Sequence, residues 1–288
     1  MFIQTDKLTH IYMQGTPFAA EALSDISFSL AKGRVALLLG PSGSGKSTLI
    51  QHLNGLLKPT SGQVYFNGNP VGGSKAELLK LRRRIGLVFQ MPEEQFFSES
   101  VYDEVAFAPR NLGLADRELD HRVERALARV GLEPALFTKR HPFHLSSGQK
   151  RLVALAAVLS LEPEVLILDE PTAGLDPAGR RRLYTLLDDL NKKEGLTLLI
   201  ATHHFDEAVA LAEQVLVLYK GKLAMDGSRN KIFSNREELV KLGLALPPIT
   251  EIMHDLADSG LPVNRDIYTL EEARTEINNL KGSGKNES

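Results

Sequence analysis

One stretch of the sequence combines glycine, lysine and hydroxyl side chains at a spacing that suits a polyphosphate. It runs from Gly40 to Thr48 and begins directly after an apolar segment. Its glycines tolerate positive φ angles, which let backbone N–H groups converge on an anion, and a lysine and hydroxyl follow that suit phosphate oxygens and Mg²⁺. We predict nucleotide phosphate contacts from Gly40, Ser42, Gly43, Gly45, Lys46, Ser47 and Thr48.

A flexible loop that happens to contain a lysine is the alternative interpretation. The flanking sequence favours phosphate binding, because Val35–Leu39 has the composition of a strand buried in a parallel sheet. After the loop, Leu49, Ile50 and Leu53 recur at helical spacing. A helix that begins near Gly45 would point the positive end of its dipole at the phosphates.

Two adjacent carboxylates, Asp169 and Glu170, follow the apolar run Val165–Leu168, and Pro171 ends that run. Adjacent strand residues point to opposite sides, so the two acids can have different roles. Asp169 is suited to hold Mg²⁺ through its water shell, and Glu170 is suited to be the general base for an attacking water. The alternative is an acidic strand end that simply enters solvent, and a phosphate loop in the same chain argues against it.

A polar cluster, Ser146–Gln149, precedes a helix that we predict to run to about Leu161. Serine and glycine are good helix caps, so a purely structural role is the alternative. Lys150 and Arg151 place two cations in the first turn, where the helix dipole disfavours them, and a bound anion would resolve that conflict. Both residue types are also good helix formers.

Several polar residues follow predicted strands directly. Gly40, Gln90, Asp169 and His203 each lie at or just after the carboxyl end of an apolar run, and His204 follows His203. Ligands of open α/β sheets bind at these carboxyl ends. We therefore expect the strand ends to converge on one site.

Composition excludes several classes of protein. The 288 residues are 43% hydrophobic and 24% charged, as in a soluble globular protein. The 34 Lys and Arg residues against 36 Asp and Glu give a net charge of −2, which offers no overall basis for binding nucleic acid. The chain has no cysteine, so it has neither a disulfide framework nor a thiolate metal site. We expect no signal peptide and no membrane span, because the longest apolar run, Leu152–Leu161, is about half of the roughly 20 residues required.

Strands that alternate with helices predict an α/β fold with a parallel sheet. Further buried strands are predicted at Ile85–Phe89, Leu196–Ile200 and Val215–Tyr219. Short strands with turn signals, which predict an antiparallel layer beside the parallel sheet, lie at Phe2–Gln4, Leu23–Leu30 and Val64–Phe66, with a hairpin turn at Asn67 and Gly68.

The predicted main domain covers residues 1–226 and contains a helical insertion at about 91–161. A small helical appendage follows at 227–280. Its last helix has a capping box, Thr269 with Glu272, and its apolar stripe is expected to pack on the main domain or on a partner. That stripe consists of Leu270, Ala273, Ile277 and Leu280. Residues 281–288 are polar and predicted to be disordered.

Together these motifs resemble the nucleotide-binding subunits of ABC (ATP-binding cassette) transporters, over residues 1 to about 226. The matching motifs occur in the family's order: Walker A at Gly40–Thr48, the Q-loop at Gln90, the signature at Leu145–Gln149, Walker B at Val165–Glu170, the D-loop at Ala173–Asp176 and the switch histidine at His203. One departure is Ser147, where the family usually has a second glycine. Serine is small and can still donate to phosphate.

The resemblance implies a P-loop NTPase fold with a RecA-like core, an ATP hydrolase activity, and ATP and Mg²⁺ as bound groups. The residues that would serve hydrolysis are Lys46, Gln90, Glu170 and His203, and those that would ligate Mg²⁺ are Ser47, Gln90 and Asp169. Tyr12 would stack on adenine, with Phe18 as the alternative. The residues that would contact ATP held by a second chain, in a head-to-tail dimer, are Ser146, Ser147, Gly148, Gln149 and Asp176.

Within this family the chain most resembles the ATPases of energy-coupling factor (ECF) transporters, which take up vitamins or transition-metal ions in prokaryotes. The segments that carry this resemblance are Gly15–Phe18, Phe89–Phe97 and Leu242–Leu244. It implies pairing with a paralogue or a second copy, in which the appendage takes part. It also implies a transmembrane coupling protein, a substrate-binding membrane subunit and a position on the cytoplasmic face of the membrane. Phe96 and Phe97 either line a groove for a helix of the membrane partner or fill the core of the helical insertion.

The alternative functions are an ATPase of another ABC importer or exporter, a non-transport ABC ATPase that acts on nucleic acid, and a nucleotide-binding module that does not hydrolyse ATP. The nucleic-acid alternative lacks support, because the sequence has no long heptad insertion, no second cassette and no excess of basic residues. The presence of Glu170 and His203 argues against a module without turnover.

Overall fold

The structure is a computed structural model, and it describes residues 1–203 and 205–283. His204 and residues 284–288, the greater part of the predicted tail, lie outside the described residues. The strands are β1 (Ile3–Tyr12), β2 (Ala20–Leu30), β3 (Val35–Leu39), β4 (Ser61–Phe66), β5 (Asn69–Pro70), β6 (Ile85–Val88), β7 (Val165–Asp169), β8 (Thr197–Ala201), β9 (Gln214–Tyr219) and β10 (Lys222–Ser228).

The helices are α1 (Lys46–Leu53), α2 (Lys75–Arg84), α3 (Val101–Asn111), α4 (Asp116–Arg129), α5 (Pro134–Phe137), α6 (Ser147–Leu159), α7 (Pro177–Glu194), α8 (Arg229–Phe233), α9 (Arg236–Lys241), α10 (Pro248–Asp258) and α11 (Leu270–Ser283). Short 3₁₀ helices lie at Pro92–Gln95, Pro142–His144 and Ala208–Ala210. No helix within the described part of the chain is both long enough and apolar enough to cross a bilayer.

A six-stranded sheet in the order β10-β9-β3-β8-β7-β6 forms the centre of the fold. Every pairing in it is parallel except that of β10 with β9. Strand β3 is buried on both faces, because Leu37 and Leu39 pack into one apolar cluster while Ala36 and Leu38 pack into another. The predicted parallel sheet is confirmed, and the antiparallel edge strand β10 has no counterpart among the predicted elements.

A four-stranded antiparallel sheet in the order β2-β1-β4-β5 lies beside the central sheet. The predicted hairpin turn between β4 and β5 is present, with φ of 50° at Asn67 and 77° at Gly68. Strand β1 is much longer than the predicted Phe2–Gln4. The prediction ends too early because register shifts after Thr5 and after Leu8 interrupt the regular alternation that marks a strand in sequence.

Helices α3–α6 form the predicted helical insertion, in which α6 packs against α3 and α4. Its core joins the apolar cluster on one face of the central sheet. Helix α2 was not among the predicted helices, although Ser74 and Glu77 form a capping box at its start.

Helices α8–α11 form the appendage. Phe233 is fully buried and its ring lies 5.6 Å from that of Phe205, so the appendage packs on the main domain as well as on its own small core. The predicted capping box is present, because the Glu272 backbone donates to the Thr269 hydroxyl. Along the predicted stripe Ala273 is buried and Leu270 is exposed. Helix α11 ends at Ser283 and so includes the first three residues of the predicted tail.

Candidate functional site

The predicted phosphate loop lies between the end of β3 and the start of α1. Gly45 caps α1 with a left-handed backbone, which aims the helix N-terminus at the loop. The Lys46 ammonium donates to the Gly40 carbonyl at 2.7 Å and the Pro41 carbonyl at 3.2 Å. Burial lowers the pKa of Lys46, and the charges of Glu170 and Asp169 act in the opposite direction. The Lys46 ammonium and the N-terminus of α1 thus lie together at the loop, and both favour an anion there.

The loop opens into a cavity of about 560 Å³. Its lining residues are Glu21, Ala22, Ser42, Gly43, Ser44, Gly45, Lys46, Ser47, Thr48, Gln90, Asp169, Glu170, His203, Lys220 and Gly221. Of the four strand-end residues expected to converge, Gln90, Asp169 and His203 line the cavity, and Gly40 lies two residues before the first lining residue of the loop, Ser42. Most of the loop residues predicted to contact phosphate, and all three predicted magnesium ligands, therefore line this one cavity.

Two segments of the cavity wall were missed from the sequence: the start of β2 and the turn between β9 and β10. The Gly221 backbone donates to the Ser44 carbonyl at 3.1 Å, and the Ser24 backbone donates to the Gly221 carbonyl at 2.8 Å. Glycine after Lys220 is a turn signal between strands. Nothing in the sequence places that turn against a loop so distant along the chain.

Asp169 ends β7 and is 7% exposed. Burial raises the pKa of its carboxyl, the Ser47 hydroxyl and the Lys46 charge oppose that shift, and Glu170 adds to it. The predicted magnesium ligands Ser47 and Asp169 are therefore neighbours on the cavity wall.

Glu170 follows β7 with a left-handed backbone, φ 46°. Its carboxylate accepts from the Thr202 hydroxyl at 2.9 Å, from the His203 backbone at 3.0 Å and from His203 Nδ1 at 2.6 Å. Asp169 and Glu170 have different partners, as predicted. The reason differs, because a left-handed turn after the strand, and not strand alternation, directs Glu170.

The cluster Ser146–Gln149 does not reach this cavity. Ser146 caps α6, and its hydroxyl accepts from the Gln149 backbone at 3.3 Å while the Gln149 side chain accepts from the Ser146 backbone at 3.2 Å. Ser147 is exposed, and Ser146, Gly148 and Gln149 line a separate groove. Asp176 caps α7 by accepting from the Gly179 backbone at 2.6 Å. Within one chain, these predicted nucleotide contacts lie apart from the phosphate loop.

The expectation that both cations of the first turn of α6 mark an anion site is wrong for Arg151. Its guanidinium is buried and donates to the Gln90 carbonyl at 2.6 Å and to the Ala173 carbonyl at 2.7 Å. Lys150 lies 5.9 Å from the centre of the Phe143 ring. Main-chain carbonyls of two neighbouring loops, and not a bound anion, therefore offset the unfavourable position of the Arg151 charge near the N-terminus of α6.

Tyr12 ends β1, and its hydroxyl lies 3.1 Å from the Thr48 hydroxyl. Its ring is 40% exposed, whereas Phe18 is 77% exposed on the β1–β2 turn. Neither ring belongs to the cavity lining, so adenine stacking by Tyr12 stays a prediction.

Two buried histidines, His52 in the last turn of α1 and His10 on β1, are in contact. His52 Nδ1 donates to the Thr48 carbonyl at 2.8 Å, so the neutral ring accepts at Nε2 from His10 Nδ1 at 3.2 Å. Burial lowers the pKa of His52, with the nearby His10 ring contributing and backbone carbonyls opposing. The backbone at Thr48, beside the predicted phosphate loop, is therefore held by a buried imidazole whose pKa is lowered.

The fold and the cavity define a nucleotide-binding P-loop cassette. The sequence profile described as ABC transporter matches residues 23–173. The energy-coupling factor transporter ATP-binding protein EcfA2 of Clostridium tetani is 43% identical over 96% of each chain, and that of Clostridioides difficile is 45% identical over 96% of each.

Solved structures agree with the sequence relatives. The structure of cbiO1 from Clostridium perfringens, part of the ABC transporter complex cbiONQ, is 41% identical with a TM-score of 0.75, over 88% of this chain and 98% of that one. The dimeric cassette MJ0796, bound to ADP and Pi in a post-hydrolysis state, is 28% identical with a TM-score of 0.71, over 79% and 99%. This chain belongs to the ATP-binding proteins of energy-coupling factor transporters, within the ABC transporter family.

Gly45→Ala should lower the free energy of unfolding by about 2–5 kcal/mol, because its backbone is left-handed and the new Cβ would lie 2.7 Å from the Ala22 carbonyl oxygen. Gly43→Ala is the matched control, since its backbone is also left-handed but its Cβ would meet nothing within 4 Å. Urea unfolding without nucleotide measures both. Equal losses in the two variants would contradict the close contact with β2.

Stability should fall as pH drops below the ordinary histidine pKa of 6.5, because the unfolded chain then binds a proton that folded His52 does not. One such proton gives a slope of up to about 1.4 kcal/mol per pH unit. His52→Gln should reduce that slope in unfolding experiments between pH 5 and 8, whereas His121→Gln, on the exposed face of α4, should not. An unchanged slope in His52→Gln would show that His52 does not take up a proton on unfolding.

Proposed function

We propose that this ATPase subunit powers an ECF-type importer for vitamins or transition-metal ions, through ATP-driven closure of a dimer. One observation carries the proposal: Gly40–Thr48 and Ser146–Gln149 belong to different grooves of the same chain. A site that needs both must be completed by a second chain, either a copy or a paralogue. Hydrolysis then depends on dimer closure.

Mg²⁺ fits the donors on the cavity wall. The Ser47 hydroxyl, the Gln90 amide oxygen and the Asp169 carboxylate supply only oxygen, which is the donor that Mg²⁺ prefers. No cluster of three or more His, Cys, Asp or Glu was found among the described residues, so phosphate and water oxygens would complete the coordination. The ion would neutralise charge on the β- and γ-phosphates.

Glu170 is proposed as the general base. Contacts from Thr202 and the His203 backbone hold its carboxylate at the cavity wall, where it can take a proton from water as the water oxygen attacks the γ-phosphorus and the β–γ bridging oxygen leaves. Lys46 would exchange its carbonyl partners in the loop for phosphate oxygens. Gln90 and His203 would position the γ-phosphate, and the opposing helix α6 would contribute its N-terminus.

The ring of Phe97 is proposed to dock a helix of the transmembrane coupling protein. Phe97 is 62% exposed and packs edge-on against the exposed Phe107 at 4.8 Å, whereas Phe96 is buried in the core. The buried Glu104 accepts from the Phe97 and Ser98 backbones, which braces the turn. This aromatic pair follows Gln90 closely along the chain, so closure at the nucleotide could reach a membrane subunit through it.

The appendage is proposed to support pairing of the two ATPase chains, since Ile252, Leu261 and Leu270 leave apolar surface exposed on it. The chain would act at the cytoplasmic face of the membrane together with a substrate-binding membrane subunit. The non-transport alternative would instead give co-purification with nucleic acid or ribosomes.

Glu170→Gln should keep ATP affinity, lose turnover by about 100-fold or more and accumulate as an ATP-bound dimer, because the amide cannot take the proton. Phosphate release and size-exclusion chromatography measure the two effects. Lys46→Ala should lose binding of a fluorescent ATP analogue. Glu162→Gln is the control, because Glu162 pairs with Arg122 and Arg125 away from the cavity. Wild-type turnover in Glu170→Gln would refute the assigned base.

Phe97→Ser should reduce recovery of the ATPase with its transmembrane coupling protein by about tenfold, because truncation removes a central aromatic contact. Its basal ATPase rate should change little. Val240→Ser is the control, since Val240 is similarly exposed, 61%, but lies on α9 of the appendage. Detergent pull-down from co-expressed membranes measures recovery, and undiminished recovery of Phe97→Ser would exclude this docking contact.

A further inference from the structure

Arg151 is a buried cation whose close hydrogen bonds go to main-chain carbonyls. It lies in the first half of α6 and is 4% exposed. Its Nη1 donates to the Gln90 carbonyl at 2.6 Å and its Nη2 to the Ala173 carbonyl at 2.7 Å. The nearest carboxylate oxygen among the described residues is that of Glu93, 3.9 Å from Nη1. Burying a guanidinium costs desolvation free energy, which the two carbonyl hydrogen bonds and the more distant Glu93 carboxylate offset.

The two carbonyls belong to the two loops that flank the nucleotide cavity on this side. Gln90 itself lines the cavity. Ala173 lies in the turn between Glu170 and Asp176, and its backbone donates to the Glu170 carbonyl at 3.1 Å. Only one residue, Ala173, therefore separates the guanidinium from the left-handed backbone of Glu170.

The same side chain extends from the helix whose N-terminus carries Ser146–Gln149. It also lines the groove of about 440 Å³ between that helix and the start of α7, with Gly131 on the helical insertion and Gly179 on the core. A rotation of the helical insertion relative to the core must either break the two hydrogen bonds of Arg151 or move Gln90 and Ala173 with it. The planar guanidinium offers a separate nitrogen to each loop in a fixed fork, whereas a lysine would offer both carbonyls one nitrogen at the end of a flexible side chain.

We propose that Arg151 is a positioning residue that couples the ATP site of its own chain to the surface Ser146–Gln149 that its chain presents to a partner. Binding of ATP at Gln90 then shifts α6 toward the partner's nucleotide, and docking of α6 on that nucleotide sets the Glu170 turn. The two sites of the dimer therefore hydrolyse ATP interdependently. This inference rests on the proposed dimeric ATPase.

The test measures steady-state ATPase activity against ATP concentration for wild type, Arg151→Met and Arg151→Lys. We expect a wild-type Hill coefficient above 1 that falls toward 1 in both variants. The turnover number should fall by about tenfold to a hundredfold, because the Glu170 turn is misplaced. Binding of a fluorescent ATP analogue should stay within about twofold of wild type, because the phosphate loop is untouched.

Arg129→Met is the matched control. Arg129 also has a largely buried side chain and also bridges the helical insertion to the core, through Glu194 of α7. Its other hydrogen bond goes to the Leu159 carbonyl within the insertion, so it differs from Arg151 in having no bond to Gln90 or Ala173. It should lose thermal stability without any change in Hill coefficient. Arg151→Lys keeps the charge, so the proposal stays testable should Arg151→Met fail to fold.

Three results would overturn the coupling: a wild-type Hill coefficient of 1, an unchanged coefficient in both Arg151 variants, or an equal drop in Arg129→Met. Loss of ATP binding in the Arg151 variants would instead assign Arg151 to nucleotide binding. Failure of the proposed function is distinguishable from these results, because wild type itself would then bind no ATP or hydrolyse none.

Discussion

Close packing of the phosphate loop against two backbones is the constraint on which this structure depends. A Cβ at Gly40 would lie 2.3 Å from the Leu218 carbonyl oxygen in the central sheet, and one at Gly45 would lie 2.7 Å from the Ala22 carbonyl oxygen in the antiparallel sheet. The loop therefore takes its shape from both sheets at once. A change in either sheet moves the backbone N–H groups that an anion would meet.

The charges of Lys46 and Asp169 in the cavity stabilise each other, because both groups are largely withdrawn from solvent. Burial acts against the charged forms of both Lys46 and Asp169, lowering one pKa and raising the other, and each charge favours the other's ionised form. Lys46 is meanwhile held by carbonyls of its own loop. Polyphosphate oxygens would be stronger acceptors for this lysine than those carbonyls, so the arrangement favours an anionic ligand.

Two groups of predicted nucleotide contacts lie in separate grooves of one chain. The cavity holds the phosphate loop, the acidic pair and His203, while Ser146–Gln149 lies in another groove on the helical insertion. Arg151 is the side chain that touches loops on the cavity side from the helix that carries the cluster. Arg151 therefore joins the helical insertion to two loops of the core.

Sequence by itself determined what depends on local residue order. The apolar run Val35–Leu39 predicts a strand that is buried on both faces. The glycines of Gly40–Thr48 predict the loop, because few residue types other than glycine tolerate its positive φ angles. Asn67-Gly68 likewise defines its hairpin turn. The capping pair Thr269 and Glu272 lies three residues apart at the start of one helix, so local spacing is sufficient to predict it.

Only the tertiary structure decided which distant segments touch. It placed Lys220 and Gly221 against the phosphate loop, turned Arg151 inward to two carbonyls, and separated buried Phe96 from exposed Phe97. It also set the orientation of Glu170 through a left-handed turn and not through strand alternation. These outcomes depend on the packing of whole elements, because a side chain's partners are set by which backbones approach it and not by its neighbours in sequence.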